Sequence, residues 1–438
     1  MSRADIPGED AVAPEDDETL LGSIEQAAVE FFLRTMNPAN GLIPDTSRDG
    51  SPCSIAVVGF ALSVYPIAVE RGWISREEAV ERSTTALRFF RDSDQSGNPD
   101  ATGYKGFYFH FLDMQSGKRV WRSELSMIDT ALLIAGALTA SMYFNAETSQ
   151  ESELREIADQ LYRRVDWRWS QHKRSTIMQG WKPESGFLHY GWEGYSEAIV
   201  LYVLGMGSPT FPITDAAYQA WTATYQWENL YDIDFLYAGP LFIHQFSHAW
   251  IDLRGIQDSF MRQNRSDYFQ NSTNAVWIQR EYARRNPLEF TGYDENCWGL
   301  TACDGPSADT QGGAGKQRRL FGYAARGVPY GPDDGTLAGW APVASLPFAP
   351  EVALSAIRSM QLHYPAMRPD GRYASSFNPG LVGADGQYFI SPGHYGLDQG
   401  IVSVMIENHR SGLIWKLIRK CPYVVAGLRR AGFRGGWL

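Results

Sequence analysis

Apolar residues recur along most of the chain at helical spacing, and the segments they define alternate between two kinds. Segment 21–36 is amphipathic, whereas 54–71 is mostly apolar. Segment 76–90 follows Ser75 and carries Glu77 and Glu78 in its first turn, where acidic side chains meet free backbone N–H groups. Apolar 124–144 is followed by 151–165, which is charged over most of its surface, and apolar 197–207 by amphipathic 215–227. Segment 250–263 precedes the polar-faced 267–285, and 349–362 leads to the pair 400–409 and 413–429, parted near Ser411 and Gly412. Helices of two kinds in alternation suit the inner and outer rings of one closed bundle, so the pattern predicts an all-α (α/α)6 toroid.

The connections sharpen that expectation. Long, aromatic, Gly-rich loops precede the apolar helices, at 40–53, 102–123, 186–196, 232–249, 291–346 and 377–399, and a toroid gathers such loops around one mouth. Within them GYKGFYFHFLDMQSGKRV reads as a small β-hairpin turning at Ser116 and Gly117, and QYFISPG as a short strand. No 20-to-50-residue repeat is evident, so the sixfold rhythm is one of architecture. The expected organisation is a disordered acidic arm at 1–20 and one catalytic domain at 21–438.

Charge and composition narrow the partners. A formal charge of -11 argues against nucleic acid and anionic membrane surfaces. It favours a small neutral or cationic partner, and the 14 Trp and 22 Tyr, several of them beside Gly, Asp or Asn, favour a binding surface. The first residues contain no apolar run, so neither a signal peptide nor a membrane span is expected there, which favours a cytoplasmic location; a polymeric substrate would favour the periplasm. Cys53, Cys297, Cys303 and Cys421 are too scattered for a disulfide framework or a zinc site.

Functional groups concentrate where the apolar helices begin. In GWEGYSE, Trp192, Glu193 and Tyr195 precede Glu197, which either caps its helix or serves as a catalytic acid. VWRSELSMID offers Trp121, Arg122, Glu124 and Asp129; an Asp entering an apolar helix needs donors or a function. FIHQFSHAWIDLRG carries His244, Gln245, His248 and Asp252. The two histidines are four apart, but no third ligand accompanies them, so contacts to sugar hydroxyls fit better than a metal. HYGLDQG holds Tyr395, Asp398 and Gln399, with Asp398 also an N-cap candidate, and YGPDDGT holds Asp334 on an acidic turn. No GxSxG elbow, Walker loop or dinucleotide fingerprint is present. Carboxylates and aromatic rings around one mouth suit glycoside chemistry, where one carboxylic acid protonates the leaving oxygen and a carboxylate activates water or attacks the sugar.

The strings SELSMIDTALLIAG, GFLHYGWEGYSEAIVLYVLGMG, FIHQFSHAWIDLRGIQD, YGPDDGT and GLDQGIVSVMIENHRSGLIWKL resemble the bacterial glucoamylase-like family over roughly residues 21–430. The resemblance implies an (α/α)6 barrel acting on β-1,2-glucan or sophoro-oligosaccharides, with Glu197 as general acid, Asp398 as base or water positioner, and Glu124 and Asp129 lining the cleft; the expected catalytic set is Glu197, Asp398, Glu124 and Asp129, with either Asp398 or Glu124 activating the water. Trp121, Arg122, Trp192, Glu193, Tyr195, His244, Gln245, His248, Asp252, Asp334, Tyr395 and Gln399 are the expected substrate contacts. The expected partner is an oligo- or polysaccharide, with no cofactor, no metal, no nucleic acid and no membrane insertion. A retaining β-1,2-glucan transglycosylase and a non-catalytic glucan-binding protein are the alternatives.

Overall fold

A computed structural model describes residues 16–307 and 319–438. Six inner helices form the ring that the hydrophobic pattern predicts: Ile55–Glu70, Met127–Tyr143, Ile199–Gly207, Phe246–Trp250, Trp340–Ala344 and Gly396–Arg410. Consecutive members pack from Ile55–Glu70 to Phe246–Trp250, Trp340–Ala344 packs on Gly396–Arg410, and Gly396–Arg410 closes the circle against Ile55–Glu70. Between the fourth and fifth members, the Gln245 amide donates to the Ala341 carbonyl and the Ser345 hydroxyl, both at 2.9 Å. Asp17–Thr35, Arg76–Asp92, Ser149–Arg164, Asp215–Thr222, Tyr268–Arg285 and Pro350–His363 lie outside, and Pro422–Arg430 covers Ile199–Gly207.

Side chains and caps explain the two rings. Ile55 through Ala68 and all of Ile199–Gly207 are buried, as helices apolar on every side must be. Outer helices keep one polar face and start on side chains that accept the free N–H of the third residue: Asp16 for Asp17–Thr35, Ser75 for Arg76–Asp92 and Thr148 for Ser149–Arg164. Two inner helices touch through their backbones. A Cβ on Gly136 would stand 1.9 Å from the Gly59 carbonyl oxygen, so only glycine permits this approach.

Several boundaries differ from the expected ones for local reasons. The first helix begins at Asp17, within the expected arm; residues 1–15 of that arm lie outside the described residues. The helix expected over 250–263 is two short pieces, Phe246–Trp250 and Ser259–Gln263, because Asp258 caps a new start. Asp215–Thr222 stops early, and Trp227–Leu230 instead pairs with Ile233–Leu236. Pro422 divides the last helix into Leu413–Ile418 and Pro422–Arg430. Trp340–Ala344 lies inside an expected loop, its five residues too few to show a period.

The expected β-hairpin turns where the sequence placed it, with the Asp113 N–H donating to the Lys118 carbonyl at 2.7 Å. Leu112 and Arg119 pair across that turn, while the start of the same run joins a five-stranded antiparallel sheet in the order Gly103–Tyr104, Phe107–Phe109, Leu125–Ser126, Gly180–Lys182, Gly186–Phe187. Phe111–Leu112 pairs separately with Cys53–Ser54, the lead-in to the first inner helix. Tyr388–Ile390 pairs with Phe377–Val382. All four cysteines are buried and free. Among the described residues, no helix is long and apolar enough to cross a membrane.

Candidate active site

Inner-helix starts share one mouth, and the short sheets carry polar side chains into it. His110 sits between the strands Phe107–Phe109 and Phe111–Leu112, its N–H donating to the Glu124 carbonyl at 2.9 Å. Its ring spans two carboxylates: Nδ1 lies 2.9 Å from Glu124 Oε1, and Nε2 lies 3.6 Å from Asp129 Oδ2. Asp129 occupies the first turn of Met127–Tyr143, where Ser126 caps its N–H and also donates its hydroxyl to Oδ2 at 2.5 Å. Burial alone would keep the imidazole neutral, but Asp129, Glu124 and Asp45 hold its pKa up at about 9. Burial would likewise raise Glu124, yet the His110 bond and charge bring it below the ordinary Glu value.

Three further carboxyl groups lie nearby, Asp45 and Glu197 within reach of the Asp129 charge and Asp398 within reach of Asp45. Asp45, half-buried in the loop before the first inner helix, accepts the Gly396 N–H on its carbonyl at 2.8 Å, which ties that loop to the start of Gly396–Arg410. Burial, reinforced by Asp129, lifts the Asp45 pKa to about 6 against the pull of His110. Glu197 immediately precedes the third inner helix, and its carbonyl accepts the Ser247 hydroxyl at 2.6 Å, so the next inner helix fixes its backbone. Burial of its carboxyl, with the charge of Asp129 added, raises its pKa to about 7. Asp398, in the first turn of Gly396–Arg410, is buried, and its Oδ2 has no hydrogen-bond partner among the described residues. Burial, then Asp45 and Asp304, push its proton affinity well above that of an ordinary Asp, opposed by a bond to Ser375.

A cationic and a phenolic wall complete the mouth. Arg48 donates to Asp304 at 2.5 Å and to the Tyr395 hydroxyl at 2.7 Å. Tyr323, 66% exposed, is near enough to Asp398, Asp45 and Glu197 for their charges to add to burial in raising its phenol pKa. The segment bearing it is pinned by Arg326, whose Nε and Nη2 each donate to Asp334 at 2.8 Å with neither side chain exposed.

Some expected substrate contacts thus serve the scaffold. Asp334 is enclosed with Arg326. His244 bonds the Ala238 carbonyl at 3.1 Å, His248 the Ser272 hydroxyl at 3.1 Å, and Gln245 ties two inner helices together. Burial depresses the two histidines to about 4 and about 3, so both are neutral at physiological pH. Asp252 follows the C-terminus of Phe246–Trp250, opposite the mouth, and pairs with Arg254 at 2.7 Å and with Arg419. Tyr195 is buried between the rings of Tyr225, His244 and Tyr268. Gln399 is buried with its amide on the Tyr373 carbonyl at 2.9 Å. At the rim are Trp121 and Arg122, with Trp192 half-buried and Glu193 exposed.

Asp45, Arg48, His110, Asp304 and Tyr323 are the site residues that sequence reasoning missed. Asp45 and Arg48 read as turn residues in PDTSRDG. His110 carried a usable signal, since FYFHFL places one polar ring within an otherwise aromatic and aliphatic strand run. His110, Glu124 and Asp129 present three donor atoms within 4.8 Å of one another. In the structure the imidazole lies between the two carboxylates as an ion-paired unit.

Residues 189–422 match the sequence profile of the Glycoamylase family, described as "Putative glucoamylase". The chain belongs to this family. The crystal structure described as a "putative glucoamylase" from Bacteroides uniformis superposes with a TM-score of 0.86 at 28% identity, covering 98% of this chain and all of that one. The endo-β-1,2-glucanase of Chitinophaga pinensis, solved with sophorotriose and glucose, gives 0.82 at 26% identity over 97% of this chain and all of that one. An exo β-1,2-glucooligosaccharide sophorohydrolase (non-reducing end) from Parabacteroides distasonis is 27% identical over 95% of this chain, which spans 58% of that relative's length.

Proposed function

We propose that this chain hydrolyses β-1,2-linked glucan or sophoro-oligosaccharides, with Glu197 as the general acid and Asp398 as the base. The observation that carries the reading is the Glu197 carboxyl, protonated up to about pH 7 by burial and by the neighbouring Asp129 charge. A carboxylic acid poised near neutrality can give its proton to a leaving glycosidic oxygen. Asp398, when ionised, takes a proton from the attacking water, directly or through a substrate hydroxyl. Glu124, ionised through His110, and Asp129 accept sugar hydroxyls, and the Asp129 charge helps hold the proton on Glu197. The likeness to relatives named for β-1,2-glucan and its oligosaccharides supports this substrate.

The experiment is a product profile on linear β-1,2-glucan beside β-1,3-, β-1,4- and α-1,4-glucans. Cleavage confined to the β-1,2 polymer is expected; sophorose alone indicates exo action and a ladder indicates endo action. Turnover of another glucan in preference would overturn the substrate, and sophoro-oligosaccharide binding without turnover would overturn the catalytic reading.

A further inference from the structure

Trp121 and Arg122 top the loop between Phe111–Leu112 and Leu125–Ser126, directly before Glu124, and everything beneath them is braced. The Arg119 guanidinium, its side chain 1% exposed, donates Nε to the Ser123 carbonyl at 2.5 Å. It also donates Nη1 and Nη2 to Glu184 at 2.8 and 3.3 Å, while lying 4.5 Å from the centre of the Phe109 ring. The Val120 N–H donates to the Phe111 carbonyl at 3.1 Å, and the Ser123 N–H to the Val120 carbonyl at 3.0 Å.

Between these fixed points the backbone takes φ of 56° at Trp121 and 51° at Arg122. Each side chain in that left-handed region costs about 1 kcal/mol or more. Nor does burial offset the cost, because Trp121 is 69% exposed. Its indole leans on Phe111 at 5.2 Å, and Phe111 stacks at 3.9 Å on His110, the ring that bonds Glu124. Arg122 is 79% exposed and reaches Glu184 only at 3.8 Å, a weak pairing that leaves its donors available. A large apolar ring held rigidly in water, at a backbone cost, two rings away from the carboxylate cluster, is explained by a ligand rather than by folding.

We propose that Trp121 and Arg122 form a glucosyl subsite at the rim. The indole takes the apolar face of a pyranose ring lying beyond the bond being cleaved, and the guanidinium donates to that ring's hydroxyls. A neutral polyhydroxylated ring suits this platform, since the acidic mouth beside it repels anions. This inference rests on the substrate assigned above and adds where a longer chain is held.

The test compares wild type with Trp121→Ala, Trp121→Phe and Arg122→Ala on sophoro-oligosaccharides of increasing length, measuring KM and kcat for each. Binding to the same variants in a Glu197→Gln background is followed by calorimetry. Trp121→Ala should raise KM by a factor that grows with chain length to about tenfold or more, with Trp121→Phe recovering most of the loss and Arg122→Ala giving a smaller one. Calorimetric Kd should follow KM. A KM change equal at every length, or none, in an enzyme whose wild type cleaves these chains would overturn the rim subsite and leave the substrate standing. Wild type that neither binds nor cleaves β-1,2-linked chains would overturn both.

Discussion

Asp334→Ala separates a scaffold role from a substrate contact, and its consequence follows from the packing. Arg326 and Asp334 are wholly enclosed, joined by two bonds of 2.8 Å. Asp334 also accepts the Phe321 and Thr336 N–H groups, each at 3.2 Å. Removing one member strands the other's charge in the interior, which costs about 3–5 kcal/mol. The two orphaned backbone donors, at about 0.5–1.5 kcal/mol each, bring the loss to about 4–8 kcal/mol, a large share of the roughly 5–15 kcal/mol that holds a folded protein together. In urea this should lower the midpoint by roughly 1–2 M. The double change Arg326→Met with Asp334→Leu leaves no unpaired charge, so it should lie closer to wild type than Asp334→Ala alone. An Asp334→Ala unfolding free energy within about 1 kcal/mol of wild type, accompanied by a raised KM, would refute the structural assignment and restore Asp334 as a substrate contact.

Other predictions concern the cluster and the helix contact beneath it. Activity should fall as pH rises through about 7, where Glu197 loses the proton it must donate, and Asp129→Asn should move that fall to lower pH by removing a charge that retains it; an unmoved alkaline limb would count against the coupling. His110 is raised from 6.5 to about 9 in the folded protein, so its ion pairing stabilises fully below pH 6.5 and is lost as pH rises through about 9. His110→Gln should therefore lower the unfolding midpoint most at pH 6 and little at pH 10; an equal loss at both would contradict the pairing. Gly136→Ala should cost at least about 2 kcal/mol in urea unfolding, because its Cβ would stand 1.9 Å from the Gly59 carbonyl oxygen, and an unchanged midpoint would exclude that contact.

The ring architecture was legible because its longest inner helices are apolar throughout and its outer helices are not. Short members escaped: Phe246–Trp250 and Trp340–Ala344 complete one turn or little more, and a period cannot appear in five residues. Glu124, Asp129, Glu197 and Asp398 come together at the mouth because they sit at or just before inner-helix starts, which sequence reveals through capping and apolar runs. Asp45 and Tyr323 reach the same space from irregular loops, through contacts such as the Gly396 N–H to the Asp45 carbonyl and Arg326 to Asp334, which no local pattern encodes. For His244, Gln245 and His248 the error was one of orientation. Polar residues at an inner-helix entrance can face the mouth or the neighbouring helix, and here Ser272, Ala238 and Ala341 supply their partners inside the wall.

The most direct test of the account is the rate of Glu197→Gln on linear β-1,2-glucan, with sophoro-oligosaccharide affinity measured on the same protein. The amide preserves shape and burial but has no proton to give, so kcat should fall by about 10²–10⁴-fold while affinity stays near wild type. A folded Glu197→Gln protein that cleaves β-1,2-glucan at close to the wild-type rate would contradict the assignment of Glu197 as the acid.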